Sequence, residues 1–498
     1  MSVAAVTTTT EGYLLALAIM WPVAGILVAL VVNGRNIERV AYIVLPIGFA
    51  MAAAVVMVVA QGGQSQIYVV GGWAPPLGIA LRADGISAAM MMTTAVVICA
   101  TGLFARGEFV QPAEGPALRA PYVFWILLFS IWSALNALVL GSDLFNLYVA
   151  LELLTFAAVP LVCLKGQKET IEAALRYMLF ALIGSVLYLL GAVMIYGLYG
   201  TLDIGLLSGR VRAEPATWIA AALMTVGLLA KTALFPLHLW LPPAHAGAPA
   251  PGSAILSALV VKGSFFLIVR IWFDAMPGHL SFAAAQLLAA LGAGAILVGS
   301  VLALRQQRLK LMIAYSTIAQ LGYLFFIFPL ATGFAAGIVW SGIAWTGSWM
   351  QLFSHAFAKA AMFMAAGLIA EALGHDRIAD LGGIGRKLPI TMLAFALSGL
   401  SLIGVPPSGG FVAKWLLLIA TINEGQWWWS AVILVGGLLA GGYIFMVLGR
   451  LLADPLSPLV IRGAVSRSRE LVALSLAVCA VLLGLVPLQS SDFLRIGR

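Results

Sequence analysis

The strongest constraint on this chain is a succession of apolar runs, each long enough to cross the roughly 30 Å of hydrocarbon in a bilayer. They occupy 13–32, 39–60, 85–104, 121–140, 143–164, 171–199, 216–240, 252–273, 282–304, 310–330, 333–372, 388–422, 428–450 and 469–487. A backbone in hydrocarbon must satisfy its own hydrogen bonds, which restricts spanning structures to helices and closed barrels. Continuous apolar runs of this length select helices, so the chain reads as an all-α polytopic membrane protein with about fourteen transmembrane helices. The composition agrees. Of 498 residues, 62% are hydrophobic and only 9% are charged, whereas about a quarter of the residues in a soluble domain carry charge. The runs at 333–372 and 388–422 exceed a simple span and must bend, tilt or include interfacial turns. The opening segment MSVAAVTTTTEGYLLALA has no basic n-region, so 13–32 reads as a retained span and not as a cleaved signal.

Basic residues test that count, because lysine and arginine accumulate in cytoplasmic loops. Loops after odd-numbered spans hold Arg35, Arg39, Arg106, Arg119, Lys165, Lys168, Arg176, Arg305, Arg308, Lys310, Arg377, Arg386, Lys387, Arg450, Arg462, Arg467 and Arg469, seventeen of the 27 basic residues. The opposite side holds Arg82, Arg210, Arg212, Arg270, Arg495 and Arg498. This asymmetry puts both termini outside, on the periplasmic side of an inner membrane if the source is bacterial, and a miscounted helix would scramble it. The net charge of +8 is thereby a loop property and not the mark of a nucleic-acid partner. Residues 66–84 alternate and carry glycine and proline, which predicts a hairpin on the outer face. No hydrophilic segment suits a soluble domain, and no glycine-rich phosphate loop occurs in a strand–helix context. The expected organisation is one membrane domain: N-terminal helices and hairpin (1–120), two repeat units (121–274 and 282–450) and a C-terminal helix (451–498). Cys99, Cys163 and Cys479 lie far apart in apolar segments, so neither a disulfide framework, a metal site, a cofactor nor a redox centre within this chain is expected.

Against this apolar background a few charges stand out. Glu152 is the one acidic residue in a span interior, and Lys231, Lys262, Lys359 and Lys414 also fall inside spans, with His355 four residues before Lys359 on the same helix face. An ionised side chain at the bilayer centre costs about 2.5–3.5 kcal/mol on insertion scales. Five such groups are tolerable only if they face one another or water inside the bundle. Snorkelling to an interface is the alternative for Lys231 or Lys414 taken singly. A packing ion pair is the alternative for Glu152, and a hydrogen-bonded core imidazole for His355. Taken together they form the hardware of a proton relay, since burial moves amines and carboxylates towards exchange near neutrality and a neighbouring charge switches them.

Two of the runs are broken. The seventh is interrupted at Pro236 and Pro242–Pro243, the twelfth at Pro406–Pro407 with Gly409 and Gly410. Broken backbone at membrane depth is tolerated only where it is buried in protein or lines a cavity. Matching breaks in two halves point to internal repeats. Helices 4–8 and 9–13 form two five-helix units, each with its broken helix fourth, and an odd number of spans per unit inverts the second. Each break carries a lysine, Lys231 or Lys414.

The segment AKTALFPLHLWLPPAHAGAPAPGSAILSALVVKGSFFLIVR resembles helices 7–8 of the antiporter-like membrane subunits. These comprise the large membrane subunits of respiratory complex I, the Mrp cation/proton antiporters and the membrane-bound hydrogenases. RLKLMIAYSTIAQLGYL is similar to that family's helix 9–10 connection, and SHAFAKAAMFMAAG to its helix 11. GGWAPPLGIALRADGISA, GSDLFNLYVALE and Lys414 are most similar to the Mrp D subunit. The resemblance implies a gating pair of Glu152 and Lys231, a central proton carrier at Lys262, transfer through His355 and Lys359, and an outer exit at Lys414. It also implies that His238 and His245 hydrate an inner half-channel. Two departures stand out: Pro243 replaces a commonly polar residue of the WLPxAH motif near His245, and 331–350 is long and tryptophan-rich, as an interfacial belt or a docking surface would be.

Such a chain is expected to be a proton-translocating subunit among other membrane subunits, with the bilayer, protons and Na⁺ or K⁺ as its partners. The driver stays open between a cation gradient, a redox reaction elsewhere in an NADH–quinone oxidoreductase or hydrogenase-type machine, and a partner that handles inorganic carbon. A purely structural role is disfavoured, because every relay position carries an ionisable group.

Overall fold

The computed structural model describes residues 7–32, 36–109, 119–332, 341–455, 460–486 and 488–497. Arg35 and Arg498, and 333–340 of the tryptophan-rich stretch, lie outside them. Among the described residues, thirteen helices are long and apolar enough to cross a membrane. In chain order the first six crossings are α1 (Tyr13–Val31), α2 (Ile37–Gly62), α3 (Gly85–Ala105), α4 (Arg119–Leu140), α5 (Leu144–Val162) and α6 (Lys168–Tyr199). The seventh divides into α7a (Pro215–Thr232) and the short α7b (Leu241–Gly247). Then follow α8 (Ala250–Ala275), α9 (Phe282–Leu304), α10 (Leu309–Ala331) and α11 (Gly342–Leu373). Two shorter apolar helices in series, α12a (Pro389–Ile403) and α12b (Gly409–Asn423), supply the twelfth crossing, before α13 (Trp427–Leu452) and α14 (Arg467–Leu485). The expected fourteen crossings are therefore all present, and the overlong run 388–422 is two half-helices. Strands β1 (Gln66–Val69) and β2 (Ala80–Ala83) pair antiparallel as the expected hairpin between α2 and α3.

Loops sort onto two faces. On one, Thr9 bonds Ile67, Arg82 bonds Gly497, Trp345 bonds Leu494 and Gln426 bonds Pro329, so both ends of the described chain sit with the hairpin. On the other, Arg308 pairs with Asp376, and Arg469 pairs with Glu371 and Glu108. This second face carries the loops after odd-numbered crossings and is called the basic face below. Helices α8, α10 and α11 form the middle of the bundle: the most apolar windows of α10 and α11 are 89% buried, and that of α8 is buried throughout, whereas α1, α2 and α6 show apolar side chains outward. Outward apolar surface is what lipid or neighbouring helices require.

Close backbone approach sets one helix pair. A Cβ at Gly184 of α6 would lie 2.5 Å from the Gly227 carbonyl of α7a, and one at Gly227 would collide with the Gly184 carbonyl in turn. Small residues here let the two backbones touch, as membrane helix pairs commonly require. They bring Ser185 of α6 and Lys231 of α7a towards α5.

The expectation for 331–350 needs correction. Trp345 and Trp349 are fully buried, not interfacial: Trp345 donates its indole N–H to the Leu494 carbonyl, and both rings pack against Phe273, Phe265 or Phe266. These described residues form neither an aromatic belt nor an open docking surface. Their rings fill the space where α11 crosses α8, which residue type and hydropathy alone do not distinguish from a membrane interface.

Arg270, near the end of α8, is also not a free loop charge. Its guanidinium forks onto both oxygens of Asp84 (2.5 and 2.8 Å), bonds Asp274 (2.6 Å) and reaches Ser87 (2.6 Å), with Asp84 only 1% exposed. Bidentate pairing of this kind is strong and directional. It ties α8 to the start of α3, where Asp84 also caps the helix through the Ser87 amide. Arg270→Met strands two carboxylates in a buried site, and a loss of about 3–5 kcal/mol is expected. Thermal unfolding of the detergent-solubilised protein should show a clearly lowered midpoint.

Candidate functional site

The break in the seventh crossing follows from local chemistry. Pro236 has no N–H to continue the helix, and Ala233 takes a left-handed conformation at φ 57°. The carbonyls released at the end of α7a need other donors. Trp240 supplies one, its indole N–H lying 2.9 Å from the Ala230 oxygen, while its ring stacks on Tyr177 at 4.2 Å. Pro242 and Pro243 then occupy the first turn of α7b, where a helix leaves its N–H groups unpartnered anyway. Pro243 is thus accommodated without loss of a helical bond.

With the Ala230 carbonyl held by the indole and the Ala233 amide, and that of Leu229 by the Leu234 amide, the Lys231 amine is available elsewhere. It bonds Glu152 of α5 at 2.8 Å, with the two side chains 5% and 13% exposed, and Thr155 at 3.1 Å. The Ser185 hydroxyl donates to the same Glu152 oxygen. One turn of α5 and one residue of α6 thus enclose the expected gating pair. A cavity of about 10 Å³ lies against Lys231, lined also by Thr155, Tyr177, Val260 and Ser264. That is about the room for one water, placed between Lys231 and α8.

Lys262 of α8 is fully buried. The helix loosens into a π turn at Leu256–Val260, a local form frequent at functional sites. The Lys262 amine donates to the Ser257 carbonyl there at 2.6 Å. Ser257 and Thr317 of α10 share a hydrogen bond of 2.9 Å. Because Thr317 itself donates to the Ile313 carbonyl (3.0 Å), the Ser257 hydroxyl is left as donor to Thr317. The Ile313 carbonyl also accepts from Lys359 of α11 at 3.0 Å, and Lys359 bonds the Ser316 hydroxyl. Lys262 and Lys359 are therefore connected through two hydroxyls and two carbonyls, from α8 across α10 to α11.

Beyond Lys359 the polar row continues. The Tyr443 hydroxyl of α13 faces Ser316 and Gln320. Gln351 donates to Gln320 at 2.9 Å, and Gln320 donates to the Leu402 carbonyl at 3.0 Å. Lys414 reaches that same carbonyl at 2.6 Å and that of Ile403 at 3.1 Å, with its amine 4.5 Å from the centre of the Tyr323 ring. These are the last carbonyls of α12a, orphaned where Gly404 turns at φ 92° and Pro406–Pro407 follow. The two lysines at the breaks are therefore not equivalent. Lys231 precedes its break and pairs with a carboxylate, while Lys414 follows its break and caps the helix end with its own charge.

The histidines divide as well. His355 is buried within electrostatic reach of Lys262, Lys359 and Lys414, and neither ring nitrogen has a partner among the described residues. His245 is fully buried, stacks on Phe363 at 4.5 Å, has both nitrogens unpartnered among the described residues, and lies within electrostatic reach of Lys359, Lys310 and Lys262. His238 instead sits in the break beside Phe235 and the Pro236 backbone. The structure thus brings His245 and His355 among the lysines and leaves His238 at the edge. The neutral members of the row, Thr155, Ser185, Ser257, Ser316, Thr317, Gln320, Gln351 and Tyr443, do not stand out in the sequence. The motif YSTIAQ, a run of polar groups in an otherwise apolar span, carries the only local sign of them.

A family profile described as the transmembrane part of NADH:quinone oxidoreductase and Mrp antiporter subunits matches residues 141–440. The N subunit of the NADH-quinone oxidoreductase of Desulforudis audaxviator is 35% identical over 80% of this chain and 80% of its own length. The D subunit of the Na(+)/H(+) antiporter of Bacillus subtilis is 28% identical over 79% of this chain and 77% of its own. Among solved structures, a chain of the Mrp complex from Dietzia sp. DQ12-45-1b superposes with a TM-score of 0.87. It covers 98% of this chain and 96% of its own at 24% identity, a likeness of fold.

The capping role of the indole can be checked directly. Trp240→Phe retains an aromatic ring against Tyr177 but removes the indole donor to Ala230 and leaves only the Ala233 amide there, and a loss of about 1 kcal/mol is expected. Thermal unfolding in detergent should report it as a small downward shift in the midpoint.

Proposed function

The chain belongs to the NADH:quinone oxidoreductase/Mrp antiporter transmembrane family, and from that premise we propose that its buried row of ionisable groups translocates protons inside a multisubunit membrane complex. The observation that carries this reading is the Glu152–Lys231 pair, set at a helix break and followed by a polar connection from Lys262 to Lys359. In the closed pair the carboxylate stabilises the protonated amine. When the pair parts, Lys231 can release its proton towards α8, across the water-sized cavity beside it. A proton moves from Lys262 to Lys359 along this row when the two amines turn from the Ser257 and Ile313 carbonyls, which accept but do not relay, to the Ser257 and Thr317 hydroxyls, which can each accept one hydrogen bond while donating another. His355 lies among Lys262, Lys359 and Lys414, where an imidazole can take up and release a proton. Lys414 completes the row at the second break. Its proton also stabilises the end of α12a, which couples occupancy of that site to the geometry of the break.

By the positive-inside rule the basic face is cytoplasmic and both termini face outward. Helices α1, α2 and α6 meet lipid or further membrane subunits with their apolar faces. The likeness to part of an Na(+)/H(+) antiporter supports exchange of protons against Na⁺ or K⁺ as the driver. The 35% identity to part of an NADH-quinone oxidoreductase supports a second reading, in which redox chemistry elsewhere in the complex drives the same relay. The two readings share every step within this chain.

Glu152→Ala and Lys231→Ala should each abolish coupled proton movement in proteoliposomes of the complex while leaving insertion and assembly intact. Full transport by either variant would remove the gating pair from the mechanism. Thr317→Val keeps the shape of the side chain and cuts the link between Lys262 and Lys359. Its proton transport should fall at least tenfold, and a wild-type rate would place the crossing between the two helix sets elsewhere. Lys414→Ala should likewise impair transport, whereas normal rates would move the exit to another group.

A further inference from the structure

On the basic face, below the relay, a second set of ionisable groups converges. Glu108 lies in the turn after α3, and Arg469, from the first turn of α14, reaches it at 3.5 Å. Arg469 also holds Glu371 at the end of α11 at 2.6 Å. The guanidinium lies 4.5 Å over the Phe104 ring and is 4% exposed. Lys165, from the α5–α6 loop, and Lys310, from the first turn of α10, are within electrostatic reach of the Glu108 carboxylate. Burial holds that carboxyl above the usual carboxylate range, against the pull of Lys165, Arg469 and Lys310, and Glu371 pushes in the same direction as burial.

One member of this set points into the bundle. The Lys310 amine donates to the Ala248 carbonyl at 3.2 Å, at the end of the short helix that carries His245. His245, in turn, is the buried imidazole whose two nitrogens have no partner among the described residues and which faces Lys262 and Lys359. Lys310 therefore spans the interval between a carboxylate at the basic face and an imidazole at the lysine row. A buried polar ring without a protein partner is the kind of group that water serves.

We propose that Glu108 is the group at which the relay is loaded from the basic face, with Lys310 as the positioning residue between it and His245. This inference rests on the relay reading above. A proton taken from water neutralises the Glu108 carboxylate and loosens its hold on Arg469, which retains Glu371. Passing the proton inward restores the carboxylate and converts the neutral His245 imidazole to imidazolium, from which Lys262 and Lys359 are reached. Lys310 bonds the backbone that positions His245 and keeps a positive charge between the two sites.

The alternative is that Glu108 only helps to lock α14 in place through Arg469, and the test separates the two. Proton transport by the intact complex in proteoliposomes is measured against pH for Glu108→Gln, Glu108→Asp, Glu371→Gln and Glu152→Gln. Glu108→Gln is expected to lower the rate at least tenfold and to remove one titration step from the rate–pH profile. Glu108→Asp is expected to restore both, and Glu371→Gln, which shares Arg469, to stay within about twofold of wild type. A wild-type rate and profile for Glu108→Gln beside an inactive Glu152→Gln overturns the loading site and leaves the relay standing. Equal losses for Glu108→Gln and Glu371→Gln with an unchanged profile shape overturn it in favour of the structural lock. Wild-type transport by both Glu108→Gln and Glu152→Gln overturns the relay itself and this inference with it.

Discussion

Every backbone carbonyl at membrane depth needs a donor from within the protein, and the two helix breaks are where this requirement is hardest to meet. The two breaks meet it differently. In the seventh crossing, Trp240 bonds the Ala230 carbonyl, and an amine one residue further on is left to pair with Glu152. In the twelfth, Lys414 and Gln320 bond the Leu402 carbonyl themselves. An indole cap cannot titrate, so the cap at the first break does not depend on the protonation or pairing of Lys231. An ammonium cap can, and losing its proton weakens this cap without removing it, because the neutral amine and Gln320 still donate to the Leu402 carbonyl. The chemical difference between the two ends of the row thus follows from which side chain satisfies a carbonyl.

Between these ends the connection depends on neutral groups. Ser257, Thr317 and Ser316 carry the link from α8 through α10 to α11. Hydroxyls suit this position because each donates and accepts at once and places no further ionised group in a low-dielectric interior. The π turn in α8 contributes as well, since it sets the Ser257 carbonyl where the Lys262 amine can reach it, five residues along the chain. Helix α10 supplies acceptors on one side to α8 and on the other to α11. This helix, whose one charged residue is Lys310 in its first turn, therefore links α8 to α11 through neutral groups.

Much of this is legible in the sequence because hydrocarbon punishes exceptions. Fourteen apolar runs can be counted, Pro236 and Pro406–Pro407 mark the breaks, and the in-span charges identify Glu152, Lys231, Lys262, His355, Lys359 and Lys414 as groups that must face inward. Partners are what a sequence withholds. Lys231 and Lys414 look alike as lysines beside prolines, and only the position of Trp240 and the order of lysine and break separate them. Hydroxyls on α10 do not stand out because serine and threonine in a membrane helix commonly bond their own preceding turn, as Thr317 also does. Trp345 and Trp349 mislead because hydropathy treats a ring in a helix–helix contact and one at an interface alike. Glu108 and Lys310 fall in stretches that read as ordinary basic loops, where spacing says nothing about which charge turns inward.

The arrangement of the amines also limits how the row can be filled. Two unit charges 4 Å apart in surroundings of effective dielectric about 20 repel by about 4 kcal/mol, and more where the interior is drier. Lys262, Lys359 and Lys414 all act on His355, with no carboxylate among the described residues that act on it. A positive charge on any of these lysines therefore raises the free energy of holding a proton on His355. Near Glu152 the balance is opposite, because the carboxylate favours a charged Lys231. The row thus pairs an amine with a carboxylate at one end and sets three amines about an imidazole further along. In the proposed relay, opening the Glu152–Lys231 pair is the step that would release charge towards the lysines beyond it, without moving every helix in between.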